Sequence, residues 1–174
     1  LVGNRQGDIF FRTCDSLVRY DIREEKFYVI GKYKAKTVTS SNGDIWTGYD
    51  GMICRYDEKG DSLLLYTEED IPDISSLLVS GNKIWVGTYE GLYVIEKGEK
   101  ARCLVDGPEF YRLFESSSGE VWAGCRTGGL YRIMPDEKVV WYSDSKAEPY
   151  HIESNQIRSF AEDRFGNIWF GTFL

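Results

Sequence analysis

The sequence has little of what most catalytic and metal sites require. There is one histidine, His151, in 174 residues, and a lone histidine without cysteine or histidine neighbours makes a poor metal ligand set. No nucleophile-elbow pattern is present, so a serine or cysteine triad has no anchor. Four cysteines, Cys14, Cys54, Cys103 and Cys125, form no C-x-x-C pair and no zinc spacing. They are expected to be buried free thiols that behave as small hydrophobes. No metal and no cofactor is expected. Long apolar runs are missing too: nothing approaches the ~18–20 residues that span a bilayer as a helix, and no stretch is composed like a signal peptide. Sustained helical periodicity is absent. Positive charge is in deficit, with 21 Lys and Arg against 28 Asp and Glu and a net charge of −7. That balance offers no general electrostatic footing for nucleic acid or an anionic membrane.

What is present is a repeat. The motif is a small or polar turn, then Ile or Val, Trp, one residue and Gly. It reads Gly43-Asp44-Ile45-Trp46-Thr47-Gly48, Asn82-Lys83-Ile84-Trp85-Val86-Gly87, Gly119-Glu120-Val121-Trp122-Ala123-Gly124 and Gly166-Asn167-Ile168-Trp169-Phe170-Gly171. A weaker copy, Gly7-Asp8-Ile9-Phe10-Phe11-Arg12, has Phe in the Trp slot and Arg in the second Gly slot. From Phe10 onward the spacings are 36, 39, 37 and 47 residues. A second signature follows each of the first four copies: Ser16-Leu17-Val18-Arg19-Tyr20-Asp21, Gly51-Met52-Ile53-Cys54-Arg55-Tyr56-Asp57, Gly91-Leu92-Tyr93-Val94-Ile95 and Gly129-Leu130-Tyr131-Arg132-Ile133. Repetition at this period marks one supersecondary unit copied along the chain.

The repeated segments are short, rich in β-branched and aromatic residues, and bounded by Gly, Asp, Asn or Ser, so each reads as a strand. Four strands fit each unit: 37–40, 44–48, 52–56 and 62–66 in the second; 75–79, 83–88, 92–95 and 102–105 in the third; 111–116, 120–125, 130–134 and 139–142 in the fourth. A fifth unit begins with 157–163 and 167–172. About forty residues in four strands is the size of a propeller blade. The expected fold is an all-β propeller of four-stranded antiparallel blades in one segment, 1–174. Its units are approximately 1–34, 35–70, 71–106, 107–150 and an incomplete 151–174, part of a larger propeller. Adjacent Ile and Trp point to opposite faces of a strand, and both faces of a blade pack on neighbours. Trp46, Trp85, Trp122 and Trp169 are therefore expected as buried scaffold. The glycines two positions on, Gly48, Gly87, Gly124 and Gly171, are expected to permit close backbone approach or a bend.

The run from Ile157 to Thr172, with its Asp163, Gly166-Asn167 turn, Ile168-Trp169 and Gly171-Thr172, resembles the two-component regulator propeller repeat. The likeness extends in weaker form over the other copies; the second and third lack the Asp in the inner strand. This resemblance implies a sensor: an extracytoplasmic, periplasmic propeller of a bacterial hybrid two-component system. Such a region responds to oligosaccharides, lies among further blades or domains of its parent chain, can dimerise, and signals to a downstream histidine kinase. No kinase motif lies in this chain, and the start and end within the pattern are expected for a piece of something longer.

In a propeller, the loops after the second strand and the loops between blades emerge on one face. The former hold Tyr49-Asp50, Tyr89-Glu90 and Arg126-Thr127-Gly128; the latter include the long 143–155 loop with Tyr150 and His151. Aromatic faces stack on pyranose rings and charged groups bond to hydroxyls. Tyr49, Asp50, Tyr89, Glu90, Arg126, Tyr150 and His151 are thus candidate ligand contacts, against the alternative of solvated loop tips. No catalytic residue is assigned. Two other readings stay open. One is an interaction platform, although Thr47, Val86, Ala123 and Phe170 stand where a WD repeat would carry Asp. The other is a glycoside hydrolase or lyase built on carboxylates such as Asp50, Glu90 and Asp163. The stretch Ser118-Gly119-Glu120-Val121-Trp122 is similar to a sialidase Asp-box turn without its Asp.

Overall fold

The computed structural model describes residues 1–31, 36–57, 71–96 and 99–173, together with the backbone of 62–67. The expected unit boundaries at 34–35 and 70, and residue 174, lie outside the described residues. Five antiparallel sheets follow one another along the chain. The first holds β1 (Val2–Gly3), β2 (Ile9–Arg12), β3 (Leu17–Asp21) and β4 (Lys26–Gly31); the second β5 (Thr37–Ser41), β6 (Asp44–Tyr49), β7 (Met52–Tyr56) and β8 (Ser62–Thr67). The third holds β9 (Ile74–Ser80), β10 (Lys83–Thr88), β11 (Gly91–Glu96) and β12 (Arg102–Asp106); the fourth β13 (Phe110–Glu115), β14 (Val121–Cys125), β15 (Leu130–Ile133) and β16 (Val139–Tyr142). The fifth pairs β17 (Ile157–Glu162) with β18 (Ile168–Thr172). Each sheet is a meander in sequence order, and successive sheets adjoin through their inner strands. These are the blades of a β-propeller.

The core lies between sheets, and strand alternation decides which side chain goes where. In β10, Ile84 and Val86 join Ile53, Ile74 and Leu77 between the second and third sheets, and Trp46 packs against that cluster. Trp85, on the other face, joins Leu92, Phe110, Val121, Ala123 and Tyr131 between the third and fourth. In the first sheet Phe10 fills the Trp slot and packs with Leu17, Ile45 and Tyr56 of the first and second sheets. The motif aromatics of the first three repeats thus face the following sheet. Of the four tryptophans expected to be buried, only Trp85 is; Trp46 and Trp122 are half-buried and Trp169 is 64 % exposed. That corrects the expectation of a buried Trp169: it occupies the outward face of the fifth sheet, where no described sheet covers it.

The second Gly of the motif serves the same packing. A Cβ on Gly48 would lie 2.8 Å from Ile74 Cγ2, and one on Gly124 2.8 Å from Ile157 Cβ. On Gly87 it would meet Ser76 Oγ and the Phe110 carbonyl oxygen. Each of these three neighbours, Ile74, Phe110 and Ile157, is the fully buried first residue of the next inner strand. Only a residue without a side chain lets adjacent blades approach that closely.

Two turn types close the inner hairpins. In the first, fourth and fifth sheets a polar residue caps a longer turn. Asn4 Oδ1 accepts from Gln6 N and Asp8 N, Ser116 Oγ from Glu120 N, and Asp163 Oδ1 from Phe165 N and Asn167 N. The second and third sheets use two-residue connections instead. Asn42 and Gly43 both have positive φ, at 54° and 90°, as a type I′ turn demands. The other short connection is Gly81-Asn82. This is why those repeats do without the Asp.

The cysteine expectation needs one correction. All four are free, but only Cys54 and Cys125 are buried; Cys14 and Cys103 are exposed. Cys14 lies in the loop after β2, and Cys103 on the outer strand β12, where packing covers one side only.

Candidate functional site

The inner strands of the third, fourth and fifth sheets open with the same irregularity. Pairing runs Ile74↔Thr88 and then Ser76↔Gly87, Phe110↔Cys125 and then Arg112↔Gly124, Ile157↔Thr172 and then Ser159↔Gly171. The skipped residue in each case, Ser75, Tyr111 or Arg158, is left out of the ladder. A bulge of this kind re-aims a side chain. All three line one cleft of about 400 Å³. Lys36, whose N donates to Gly48 O just before β5, lines it too. The loop residues Tyr89, Glu109 and Arg126, with Arg112 and Arg12, complete the walls.

Tyr111 is the centre of the arrangement. The guanidinium carbons of Arg112, Arg126 and Arg158 lie 5.1, 5.5 and 5.6 Å from its ring centroid. Its residue is buried and its hydroxyl has no hydrogen-bond partner among the described residues. The arginines are held in place. Arg112 donates through Nε to Arg158 O at 3.0 Å and through Nη1 to Tyr111 O at 2.9 Å. Arg126 grips Glu109 with two bonds of 2.6 and 3.2 Å, the fork geometry that suits a carboxylate. Arg158 donates to Gln156 Oε1 at 3.3 Å. Ser75 Oγ donates to Phe110 O at 2.5 Å. Lys36 is paired with Asp73, lies 3.9 Å from Asp50 Oδ1, and sits over the Tyr89 ring at 5.3 Å. The hydrogen bond to Asp73 raises the Lys36 pKa despite some desolvation, so this ammonium stays charged.

The candidate residues divide. Tyr89 and Arg126 line the cleft. Asp50 stands at its margin through Lys36, and Tyr49 ends β6 beside it without lining the cleft. Glu90 is exposed and does not line the cleft; its carbonyl accepts from Gly107 N. Tyr150 and His151 lie elsewhere, in a loop that closes on itself. Ser143 N donates to Tyr150 O, Ile152 N to Ser143 O, and Asn155 Nδ2 to Asp144 Oδ1. Tyr150 packs on Tyr142 at the outer edge of the fourth sheet. The cleft residues that motif reading passed over are Arg12, Lys36, Ser75, Glu109, Tyr111, Arg112 and Arg158. One signal was available: each bulge residue follows the buried residue that opens its inner strand, as in Ile74-Ser75, Phe110-Tyr111 and Ile157-Arg158.

The carboxylates of the hydrolase reading do not gather. Asp163 is in the hairpin joining β17 to β18, whereas Asp50 and Glu90 follow the second strands of their sheets, at the opposite ends. Asp163 is also fully engaged, accepting from Asn167 Nδ2 at 2.9 Å and Trp169 Nε1 at 3.1 Å. A second, smaller cavity of about 310 Å³ lies at the hairpin end between the second and third sheets. Asn42, Trp46, Arg55, Asn82 and Lys83 line it, and Arg55 there is closed onto Asp44 at 2.6 Å.

Residues 151–173, which form the end of the long loop with β17 and β18, match the family described as Two component regulator propeller. No curated protein matches the chain in sequence. Solved structures do match in fold. The extracellular domain of a putative hybrid two component system from B. thetaiotaomicron superposes with a TM-score of 0.76 at 18 % identity, covering 98 % of this chain and 25 % of that one. Virginiamycin B lyase from Staphylococcus aureus gives 0.75 at 14 %, covering 97 % and 61 %. A surface component of the type-IX secretion system of Porphyromonas gingivalis gives 0.74 at 15 %, covering 98 % and 30 %. The chain therefore spans between a quarter and three fifths of these structures, and at such identities the likeness is one of fold. The chain is built of β-propeller blades, and its residues 151–173 match the family described as Two component regulator propeller.

Proposed function

We propose that this chain is a non-catalytic, ligand-sensing propeller region from the extracytoplasmic part of a bacterial two-component sensor, and that its ligand is an oligosaccharide held in the cleft around Tyr111. The observation that carries the reading is the convergence of Tyr89, Tyr111 and five long cationic side chains on one concavity fed by three inner-strand bulges. Aromatic rings give a saccharide its apolar faces to lie on, and the surrounding N–H groups bond to its oxygens. The match of residues 151–173 to the regulator propeller family supports the sensor part. Periplasmic placement, further blades or domains in a parent chain, dimerisation and a signal to a downstream histidine kinase belong to the same proposal.

The test is thermal unfolding of the chain against a panel of oligosaccharides. A ligand present at about 100 times its Kd should stabilise the fold by about 2.7 kcal/mol, and Tyr111→Ala should abolish that gain while leaving the protein folded. If no sugar changes the unfolding temperature, the saccharide reading fails and the weight moves to an interaction platform. That second reading has its own observation: Trp169 and Phe165 are 64 % and 73 % exposed on the fifth sheet and its hairpin, an apolar surface able to take a protein partner.

A further inference from the structure

We infer that the ligand of this cleft is an anionic saccharide, one that carries carboxylate or sulfate groups; this rests on the saccharide reading above. The chain as a whole bears a net charge of −7, yet its cleft is lined by Arg12, Lys36, Arg112, Arg126 and Arg158, with Glu109 the one lining carboxylate among the described residues. Two of those cations are already neutralised, Arg126 by Glu109 and Lys36 by Asp73. Arg12, Arg112 and Arg158 form no ion pair with any carboxylate among the described residues. Like charges gathered without counter-charge destabilise a fold, and an oxyanion would relieve that repulsion.

Donor and acceptor balance leads to the same ligand. A sugar hydroxyl both donates and accepts, so a site for a neutral sugar needs acceptors as well as donors. Here acceptors are few: Glu109 is engaged by Arg126 on both oxygens, Ser75 spends its proton on backbone carbonyls but keeps its lone pairs, and the Tyr89 and Tyr111 hydroxyls are the other side-chain acceptors that line the cleft among the described residues. Donors are in excess: each guanidinium has five N–H groups, and the bonds above use only some of them. The buried Tyr111 hydroxyl has no hydrogen-bond partner among the described residues. A carboxylate or sulfate accepts only, and the planar arginine fork matches both. The tethering of Arg112 and Arg158 to backbone and Gln156 fixes the donors before the ligand arrives, which lowers the cost of binding.

Calorimetric titration of the 174-residue chain tests this with four probes: a tetragalacturonate, a sulfated chondroitin tetrasaccharide, a neutral galactotetraose of the same length, and inorganic sulfate. At least one anionic saccharide should bind more than about tenfold tighter than the neutral one. Which of the two does so identifies the anionic group. Raising ionic strength should weaken that binding. Exchange of the exposed pair Arg12→Gln and Arg158→Gln should weaken it by about tenfold or more, while the unfolding temperature of the free protein holds or rises as the repulsion is relieved. Equal or tighter binding of the neutral tetrasaccharide overturns the anionic assignment and leaves the saccharide reading standing. Anionic binding that ignores the double substitution, or sulfate alone matching the saccharides, overturns it as well. If nothing binds, both readings fall.

Discussion

Asp163 shows how one side chain can specify a turn. Its carboxylate collects the backbone N–H groups of Phe165 and Asn167, the Asn167 amide and the Trp169 indole. Those donors, led by the Asn167 side chain and then Trp169, pull its pKa from an ordinary 3.8 down to about 2. Because the folded value is the lower one, the carboxylate's contribution is complete above the unfolded pKa and is lost as pH falls through the folded one. An NMR pH titration should therefore place the Asp163 carboxyl midpoint near 2, with the Trp169 indole N–H resonance moving in step; a midpoint near 3.8 would remove the cap. Asn4 and Ser116 hold the same turn position, so the Asp of the motif is one solution among three. Cysteine reactivity is a second test at this scale. Burial raises the thiol pKa of Cys54 and Cys125, and a thiol both buried and protonated is inert. Native labelling should modify Cys14 and, more slowly because desolvation raises its pKa too, Cys103, the two exposed thiols, and denaturation should release the other two. Labelling of all four in the native protein would contradict the packing described.

Within a blade, strand identity was plain in the sequence and strand irregularity was not. Ile-Trp-x-Gly reports its two faces by alternation alone, and the Arg of the second signature falls opposite the motif aromatic: Phe10↔Arg19, Trp46↔Arg55 and Trp122↔Arg132. Those arginines reach Asp8, Asp44 and Glu120 at the head of the second strand. Arg55 and Arg132 also lie over their Trp rings. The bulges could not be read the same way. A bulge is a count of two residues against one on the partner strand, and Phe110-Tyr111-Arg112 gives no sign of it until Cys125 and Gly124 are paired. For that reason sequence reading found Tyr89 and Arg126, on loops, and missed Tyr111 and Arg158, on strands. The motif glycine is testable here. Gly87→Ala would drive a Cβ into Ser76 Oγ and the Phe110 carbonyl. Since backbone cannot yield as a flexible side chain can, a loss of about 1–3 kcal/mol or more is expected, read from the urea midpoint. Gly81, whose added Cβ would meet nothing within 4 Å, has only its positive φ of 57° to constrain it.

For the whole molecule, the sheets form a stack in which Phe10, Trp46 and Trp85 each pack toward the next blade. Trp85 lies within such an interface at 5 % exposure, whereas Trp169 is outside one. Trp85→Ala should cost about 3–5 kcal/mol, and Trp169→Ala clearly less, since it gives up the indole bond to Asp163 but no inter-sheet packing. Equal effects in equilibrium denaturation would refute the directional stacking. The fold class was legible from the repeat period, because one unit copied at about forty residues leaves few architectures. The site was legible only in part, because the cleft is assembled from several sheets and no single repeat contains it.

The central claim is that the concavity around Tyr111, and not the 143–155 loop, receives the ligand. It is tested most directly by amide and side-chain chemical-shift mapping of the chain while a saccharide that raises its unfolding temperature is titrated in. The account predicts that the largest perturbations fall on Tyr89, Tyr111, Arg126 and Arg158, with Tyr150 and His151 unmoved. Perturbations centred on Tyr150 and His151 would contradict it.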